Sequence, residues 1–215
     1  MKLQNLTKRF KNITILEDAG IDLSEKSIIF GESGIGKTTL LSMIGGLDKN
    51  YSGHIELPAE TSVRFIYQKH NFIEHLNLYE NIHIATGSGV SREDILKFIA
   101  EIGLSPLSYP SQISIGQQQK IAVARCLLGN PDFILADEPT GDLDFRQAKP
   151  VIEMLSKIKY AIVSTKGDFI IHALQNGYKE EFTVYLLKDG GIKNLGKVNS
   201  EATLMEIGLT DGLSF

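Results

Sequence analysis

The sequence predicts an α/β fold: a mostly parallel sheet with an N-terminal antiparallel β portion and a helical insertion. Two observations carry this. The runs Phe133–Ala136 and Tyr160–Ser164 are apolar almost throughout, which suits strands buried on both faces, as in a parallel sheet. Helical patterns alternate with such strands, and that alternation belongs to the α/β class. The 215 residues suit one large domain, or a domain with a small insertion.

Taken in order, Ile13–Leu16, Ile21–Leu23 and Ser27–Phe30 are the first candidate strands. Thr38–Ile44 follows a glycine-rich loop as a helix, which Gly45 and Gly46 stop. His54–Leu57 and Val63–Tyr67 are further short strands. In the middle, Ser91-Arg92-Glu93-Asp94 resembles a capping box with Asp in place of the commoner Glu. Ile95, Leu96, Ile99 and Ile102 continue at helical spacing until Gly103. Residues 71–112 are therefore expected to form a helical subdomain, inserted between core segments 1–70 and 113–195. Gln117–Leu128 is the next helix, broken by Pro131-Asp132. Phe182–Leu187, the turn Asp189-Gly190-Gly191 and Ile192 predict a late hairpin. Residues 196–215 form a C-terminal extension, with a short helix expected over Ser200–Ile207.

Composition narrows the functions without excluding nucleic acid outright. The net charge of −4 carries no basic excess, so no nucleic-acid partner is expected. A lone cysteine, Cys126, permits no internal disulfide and fits a reducing cytosol. It lies within an amphipathic helix, as a packing residue. The N-terminal MKLQNLTKRFKN lacks an apolar h-region, and no apolar run approaches the roughly 18 residues of a membrane span. Any service to a membrane is expected to go through a partner.

The chemistry starts at Gly31–Thr38, which spells G-x-x-x-x-G-K-T between an apolar strand and a helix. A triphosphate crowds several negative charges together. Backbone N–H groups surround it only where no Cβ intervenes and unusual φ angles are allowed, hence Gly31, Gly34 and Gly36. With Glu32, Ser33, Ile35 and Thr39 these residues form the expected cradle, and the helix directs its positive end at the same phosphates. Lys37 would reach the β- and γ-phosphates, and the Thr38 hydroxyl would bind Mg²⁺. The fold is thus expected to have a P-loop nucleoside triphosphatase core. The bland alternative is a glycine-rich turn of no special purpose.

A second feature is FILADEPTGDLD, Phe133–Asp144. Its buried strand delivers Asp137 and Glu138 together at a polar end. Asp137 can hold Mg²⁺ through water, and Glu138 can polarise the water that attacks the γ-phosphate. Two solvated acids in a turn is the competing reading.

Those motifs, with ISIGQQQKIAVARCLL between them, resemble the ATP-binding subunit of an ABC transporter over roughly residues 1–195. The family's L-S-G-G-Q signature appears as Ile113-Ser114-Ile115-Gly116-Gln117. The resemblance implies that Phe10 stacks on adenine and that Gln68 touches Mg²⁺ and senses a membrane partner. Without it, Phe10 is a core aromatic and Gln68 a polar residue at a strand end. Gly141-Asp142-Leu143-Asp144 resembles the D-loop. The wording is similar to the group serving lipoprotein release, macrolide or peptide efflux, and cell division. The resemblance also implies ATP and Mg²⁺ as ligands and a head-to-tail pair with a second ATP-binding subunit, homo- or heterodimeric. In such a pair Ser114, Gly116 and Gln117 face ATP on the partner. A separate transmembrane permease, probed by residues 69–84 or by none of them if these are core, would hold the chain at the inner face of the membrane.

Two positions depart from the family pattern. Thr165 stands where a histidine usually bonds the γ-phosphate, followed by Lys166, and Ile115 replaces the signature's first glycine. If position 115 needs φ > 0, a β-branched residue costs on the order of 1–3 kcal/mol; if it faces away, the change is harmless. Nucleotide binding with slow hydrolysis is therefore expected. The leading reading is an ATPase driving a transporter, more in keeping with export. The alternative is a nucleotide-dependent switch acting through a membrane partner without transport. A small P-loop kinase would need neither the signature nor Glu138, and a DNA-repair ATPase of this kind would need a long coiled coil that the sequence lacks.

Overall fold

The computed structural model describes residues 1–11, 13–57, 62–141, 143–177, 182–198 and 201–208. In chain order these form β1 (Lys2–Phe10), β2 (Ile13–Asp22), β3 (Lys26–Phe30), α1 (Lys37–Ile44), β4 (Ser52–Glu56), β5 (Val63–Ile66), α2 (Leu78–Thr86) and α3 (Arg92–Glu101). They continue with α4 (Ile115–Leu127), β6 (Phe133–Asp137), α5 (Phe145–Ser156), β7 (Tyr160–Thr165), α6 (Asp168–Gln175), β8 (Thr183–Lys188), β9 (Gly191–Lys197) and α7 (Glu201–Glu206).

Two sheets organise the chain. The larger runs β5-β6-β7-β3-β8-β9, parallel except for β9, which returns antiparallel beside β8 as the predicted hairpin. The smaller is antiparallel, β2-β1-β4. This is the predicted mixed α/β architecture. β6 is buried along its whole length, as its apolar run requires. One core, with Leu6, Leu16, Ile29, Leu40, Leu41 and Leu135, fills the space between the sheets around α1. A second, with Ile134, Val151, Phe169 and Phe182, lies under α4, α5 and α6. A separate cluster of Leu78, Ile82, Ile95, Ile99 and Ile121 ties α2 and α3 to α4. The late helix α7 is fastened by Thr203 Oγ1 donating to the Leu195 carbonyl and by a Lys193–Glu206 ion pair at 3.0 Å.

Local details differ from expectation, with physical reasons. β2 is one continuous strand, not two, and β1 is a full strand that the sequence does not announce. α4 begins at Ile115, two residues before the expected Gln117. Ser114 Oγ accepts from Gln117 N at 3.3 Å, and Gln117 Oε1 accepts from Ser114 N at 2.9 Å, so a capping box starts the helix early. At α3, Ser91 Oγ accepts from Asp94 N at 3.1 Å and itself donates to the Asp94 carboxylate at 2.6 Å. The shorter Asp grips the cap's hydroxyl where Glu would reach its backbone. Ser200 and residues 209–215 of the extension, and Asp142 of the D-loop, lie outside the described residues.

Candidate functional site

The parallel strands β5, β6, β7 and β3 point their C-terminal ends the same way, and ligands of open α/β sheets bind at that edge. There the chain gathers Gln68 after β5, Asp137 and Glu138 at the end of β6, Thr165 and Lys166 at the end of β7, and the glycine loop after β3.

The loop leads straight into α1, whose N-cap Gly36 sits at φ 111° with no side-chain cap. The N–H groups of the first turn therefore have no intrahelical partner and face an incoming anion. Gly34 is also left-handed, at φ 80°. Gly31 and Gly36 have a further reason to lack a Cβ. One on Gly31 would stand 2.8 Å from the Leu187 carbonyl oxygen, and one on Gly36 would stand 2.2 Å from Ile15 Cγ2. Strands β8 and β2 thus press the loop into shape before any ligand arrives. Glu32, Ser33 and Gly34 are exposed along its rim, Ile35 and Thr39 are half-buried.

Lys37 is buried, and its ammonium donates to the carbonyls of Gly31 at 2.8 Å and Glu32 at 2.9 Å. It also lies 3.6 Å from Glu138 Oε1. Burial lowers its pKa, the Glu138 carboxylate opposes that, and the Lys166 cation adds to the lowering. Thr38 Oγ1 donates to Asp137 Oδ2 at 2.7 Å, and Ser164 Oγ donates to Asp137 Oδ1. Both carboxylate oxygens are thereby fixed by hydroxyls from neighbouring elements.

Glu138 takes the left-handed conformation, φ 46°, which is uncommon for a residue with a side chain and gathers at functional sites. Its N–H donates to the Ser164 carbonyl at 3.1 Å and to Ser164 Oγ at 3.2 Å, holding the turn. Three donors meet its carboxylate: Lys37, Lys166 Nζ at 3.1 Å from Oε2, and Gln68 Nε2 at 3.4 Å from Oε2. Gln68 is exposed and donates to Glu138 Oε2, whereas Lys37 faces Oε1.

Thr165 is 2 % exposed, and its hydroxyl accepts from Gly167 N at 3.0 Å and Phe169 N at 3.2 Å. Those bonds turn it back onto the start of α6, away from the cluster around Glu138. Lys166, one residue on, faces that cluster. Phe10 ends β1 opposite Ile13, and both side chains stand exposed, at 49 % and 65 %, with the Lys8 ammonium 4.5 Å from the centre of the Phe10 ring. Phe10 is thus outside the core, on the hairpin whose Ile15 abuts the loop.

The signature lies elsewhere on the surface. Ser114, Ile115, Gly116, Gln117 and Lys120 of α4, with Gln147 of α5, line an open depression of about 380 Å³. Ile115 is helical and 59 % exposed, so its own backbone carries no left-handed strain. Gly116 lets α5 approach: a Cβ there would fall 1.8 Å from Gln147 Oε1. Gln147 is a residue that sequence reasoning missed. The spacing Asp144-x-x-Gln147 carried the signal, since Asp144 caps α5 by accepting from Gln147 N at 2.9 Å and from Gln147 Nε2 at 2.7 Å. Ser164 was also missed, although its place beside Asp137 follows from the β6–β7 register.

A triphosphate cradle after β3 set against a paired acid at the end of β6, one strand over across β7, defines a P-loop nucleoside triphosphatase. The profile of the family described as ABC transporter matches residues 18–141, more than half of the chain. The chain belongs to that family, as an ATP-binding domain with ATPase activity. It is similar to the lipoprotein-releasing system ATP-binding protein LolD of Blochmanniella floridana, 35% identical over 219 residues, covering 88% of this chain and 92% of LolD. It is also similar to the spermidine/putrescine import ATP-binding protein PotA of Rubrobacter xylanophilus, 30% identical over 96% of this chain; the chain spans 59% of the length of PotA. Among solved structures, the dimeric ATP-binding cassette MJ0796, in a post-hydrolysis state bound to ADP and Pi, is 29% identical with a TM-score of 0.73, covering 93% of this chain and 99% of that one. Among the described residues no helix is long and apolar enough to cross a membrane.

Proposed function

We propose that this chain is the ATP-hydrolysing subunit of a membrane transporter working in the direction of export or lipoprotein release, and that it turns over slowly. The arrangement that carries the reading is the Asp137–Glu138 pair with Thr38 on one acid and Lys37 on the other. Lys37 and the first turn of α1 would hold the β- and γ-phosphates, with Glu32, Ser33 and Ile35 closing around them. The exposed Phe10 ring would take the adenine face, with Lys8 already against it.

The donor set fits Mg²⁺. A hydroxyl and a carboxylate oxygen are hard ligands, and the described residues contain no cluster of three or more acidic, His or Cys side chains that would form a cage. An ion held by one or two protein oxygens, with phosphate and water completing its shell, is Mg²⁺ chemistry. Thr38 and Asp137 would hold it, with Gln68 reaching in from beside Glu138, and it would neutralise charge on the phosphates. Glu138 would then orient and polarise the attacking water.

Pairing with a second ATP-binding subunit is supported by the dimeric cassette of similar fold and by the open depression at Ser114, Gly116 and Gln117. That face offers a hydroxyl, N–H groups and a helix N-terminus to a γ-phosphate on the partner. A separate permease would be met by residues 69–84 and keep the chain peripheral on the inner face of the membrane. LolD is an ATP-binding protein of a lipoprotein-releasing system and PotA one of spermidine/putrescine import, so direction rests on the lipoprotein-release wording of DEPTGDLD. Slow turnover is supported by Thr165, whose hydroxyl is engaged at α6. The same observation favours, second, a nucleotide-dependent switch without transport.

Calorimetry with magnesium-ATP, on the parent and on Lys37→Ala, tests the site; equal heats from both would refute it. Steady-state phosphate release with Thr165→His and with Ile115→Gly tests slow turnover. If neither change alters the rate, that part of the reading is wrong. Co-purification of a permease, followed by transport in vesicles, separates transporter from switch.

A further inference from the structure

Thr165 carries no charge and is buried, and the strand geometry puts a cation one residue on. Side chains alternate along β7. Ser164, paired with Asp137 across the β6–β7 register, points to the acids. Thr165 points the other way and is buried under α6. Lys166, next on the acid side, closes on Glu138 Oε2 at 3.1 Å. Gly167, at φ 138°, then turns the chain into α6. Oε2 is shared with Gln68 Nε2 at 3.4 Å, while Oε1 faces Lys37 at 3.6 Å.

We propose that Lys166 is a positioning residue for ATP hydrolysis: its ammonium holds the Glu138 carboxylate in the orientation that aims it at the attacking water. The inference rests on the reading of Glu138 as the water-polarising acid. A carboxylate gripped on both oxygens cannot rotate freely. Lys37 alone is a poor anchor, because two of its three protons go to loop carbonyls, it stands 3.6 Å from Oε1, and it must serve the phosphates. Lys166 lies 46 % exposed on the opposite flank, and Glu138 is 10 % exposed between them. The two ammonium groups sense each other across the acid, which is why Lys166 helps to lower the pKa of Lys37.

The test is single-turnover hydrolysis of γ-labelled magnesium-ATP with protein in excess, so that slow rates are measured, on the parent, Lys166→Met, Lys166→Arg and Glu138→Gln. Lys166→Met is expected to slow the chemical step about tenfold or more, since a misaligned base forfeits part of the 10²–10⁴ that such a group supplies. Its affinity for ATP stays within about twofold, and its melting temperature moves little, because the lysine end of the pair is 46 % exposed and Lys37 and Gln68 still meet the Glu138 carboxylate. Lys166→Arg restores most of the rate, because its guanidinium reaches the same oxygen. A Lys166→Met rate equal to the parent, with Glu138→Gln inactive, overturns the proposal and leaves the ATPase reading intact. A Glu138→Gln rate equal to the parent overturns both. Loss of ATP affinity in proportion to rate, or no rescue by arginine, also overturns it, because the lysine would then serve binding or mere packing.

Discussion

Replacing Thr165 by valine isolates one hydroxyl. The side chain is 2 % exposed, and valine keeps its shape and branching. What disappears is the acceptor for Gly167 N at 3.0 Å and Phe169 N at 3.2 Å. Both donors are buried, and Gly167, the N-cap of α6, has no side chain to take over. Loss of a cap costs roughly 0.5–2 kcal/mol. A buried donor left without a partner costs about 1–3 kcal/mol. The two bonds share one oxygen, so the whole effect is estimated at about 2–4 kcal/mol rather than the full sum. For a chain of this length each kcal/mol moves the melting temperature by roughly 2–4 °C, so a fall of about 4–16 °C is expected. Thermal unfolding and urea titration of the parent, Thr165→Val and Thr165→Ser measure it. The serine variant keeps the acceptor and should stay near the parent. A valine variant that melts within about a degree of the parent would refute the capping role assigned to this hydroxyl.

Other outcomes are equally specific. Gly116→Ala drives a Cβ into Gln147, which must release Asp144; a loss of about 1 kcal/mol in urea titration is expected, with Gln147→Ala relieving the clash. Burial pushes the Cys126 thiol up from 9.0 to about 11, so it should resist alkylation at pH 8 in the folded protein and react at once in urea. The sign of its linkage follows: between pH 9 and 11 the folded chain keeps a proton that the unfolded chain loses, so this group's contribution to stability is complete below pH 9 and falls as pH rises. Comparing the alkaline limb of the parent with that of Cys126→Ala by chemical denaturation checks it.

Some of this was legible in the sequence and some was not. β6 and β7 announced themselves because a strand buried on both faces must be apolar throughout. The α1 helix stood out because its loop needs glycine. β1 was hidden. Its register shifts between Leu3, Leu6 and Lys8 break the period-2 alternation that marks a strand. Lys8, which looks like a surface residue, is 2 % exposed, with its ammonium 2.7 Å from Asp48 and donating to the Asn50 carbonyl. The glycines of the loop were traced to phosphate alone; that Gly31 and Gly36 also make room for Leu187 and Ile15 depends on neighbours 156 and 21 positions away, which no local pattern reveals. The direction of Lys166 likewise follows from which face of the sheet carries Asp137 and Ser164, a fact of pairing.

The two departures from the family pattern have different physical characters, and the difference bears on how they act. Thr165 is inward and already employed. Restoring an imidazole there means abandoning the α6 cap, so any gain in turnover comes with the stability loss worked out above. Ile115 is outward, helical and unstrained. The cost of 1–3 kcal/mol that a left-handed position would impose is absent from the isolated chain. Its side chain stands beside Ser114 and Gly116 at the open depression, the face proposed above to meet a second subunit. A change at 165 therefore acts within one chain and is independent of concentration. On the proposed pairing with a second subunit, a change at 115 acts where the two surfaces meet, and its effect scales with how fully the pair is formed.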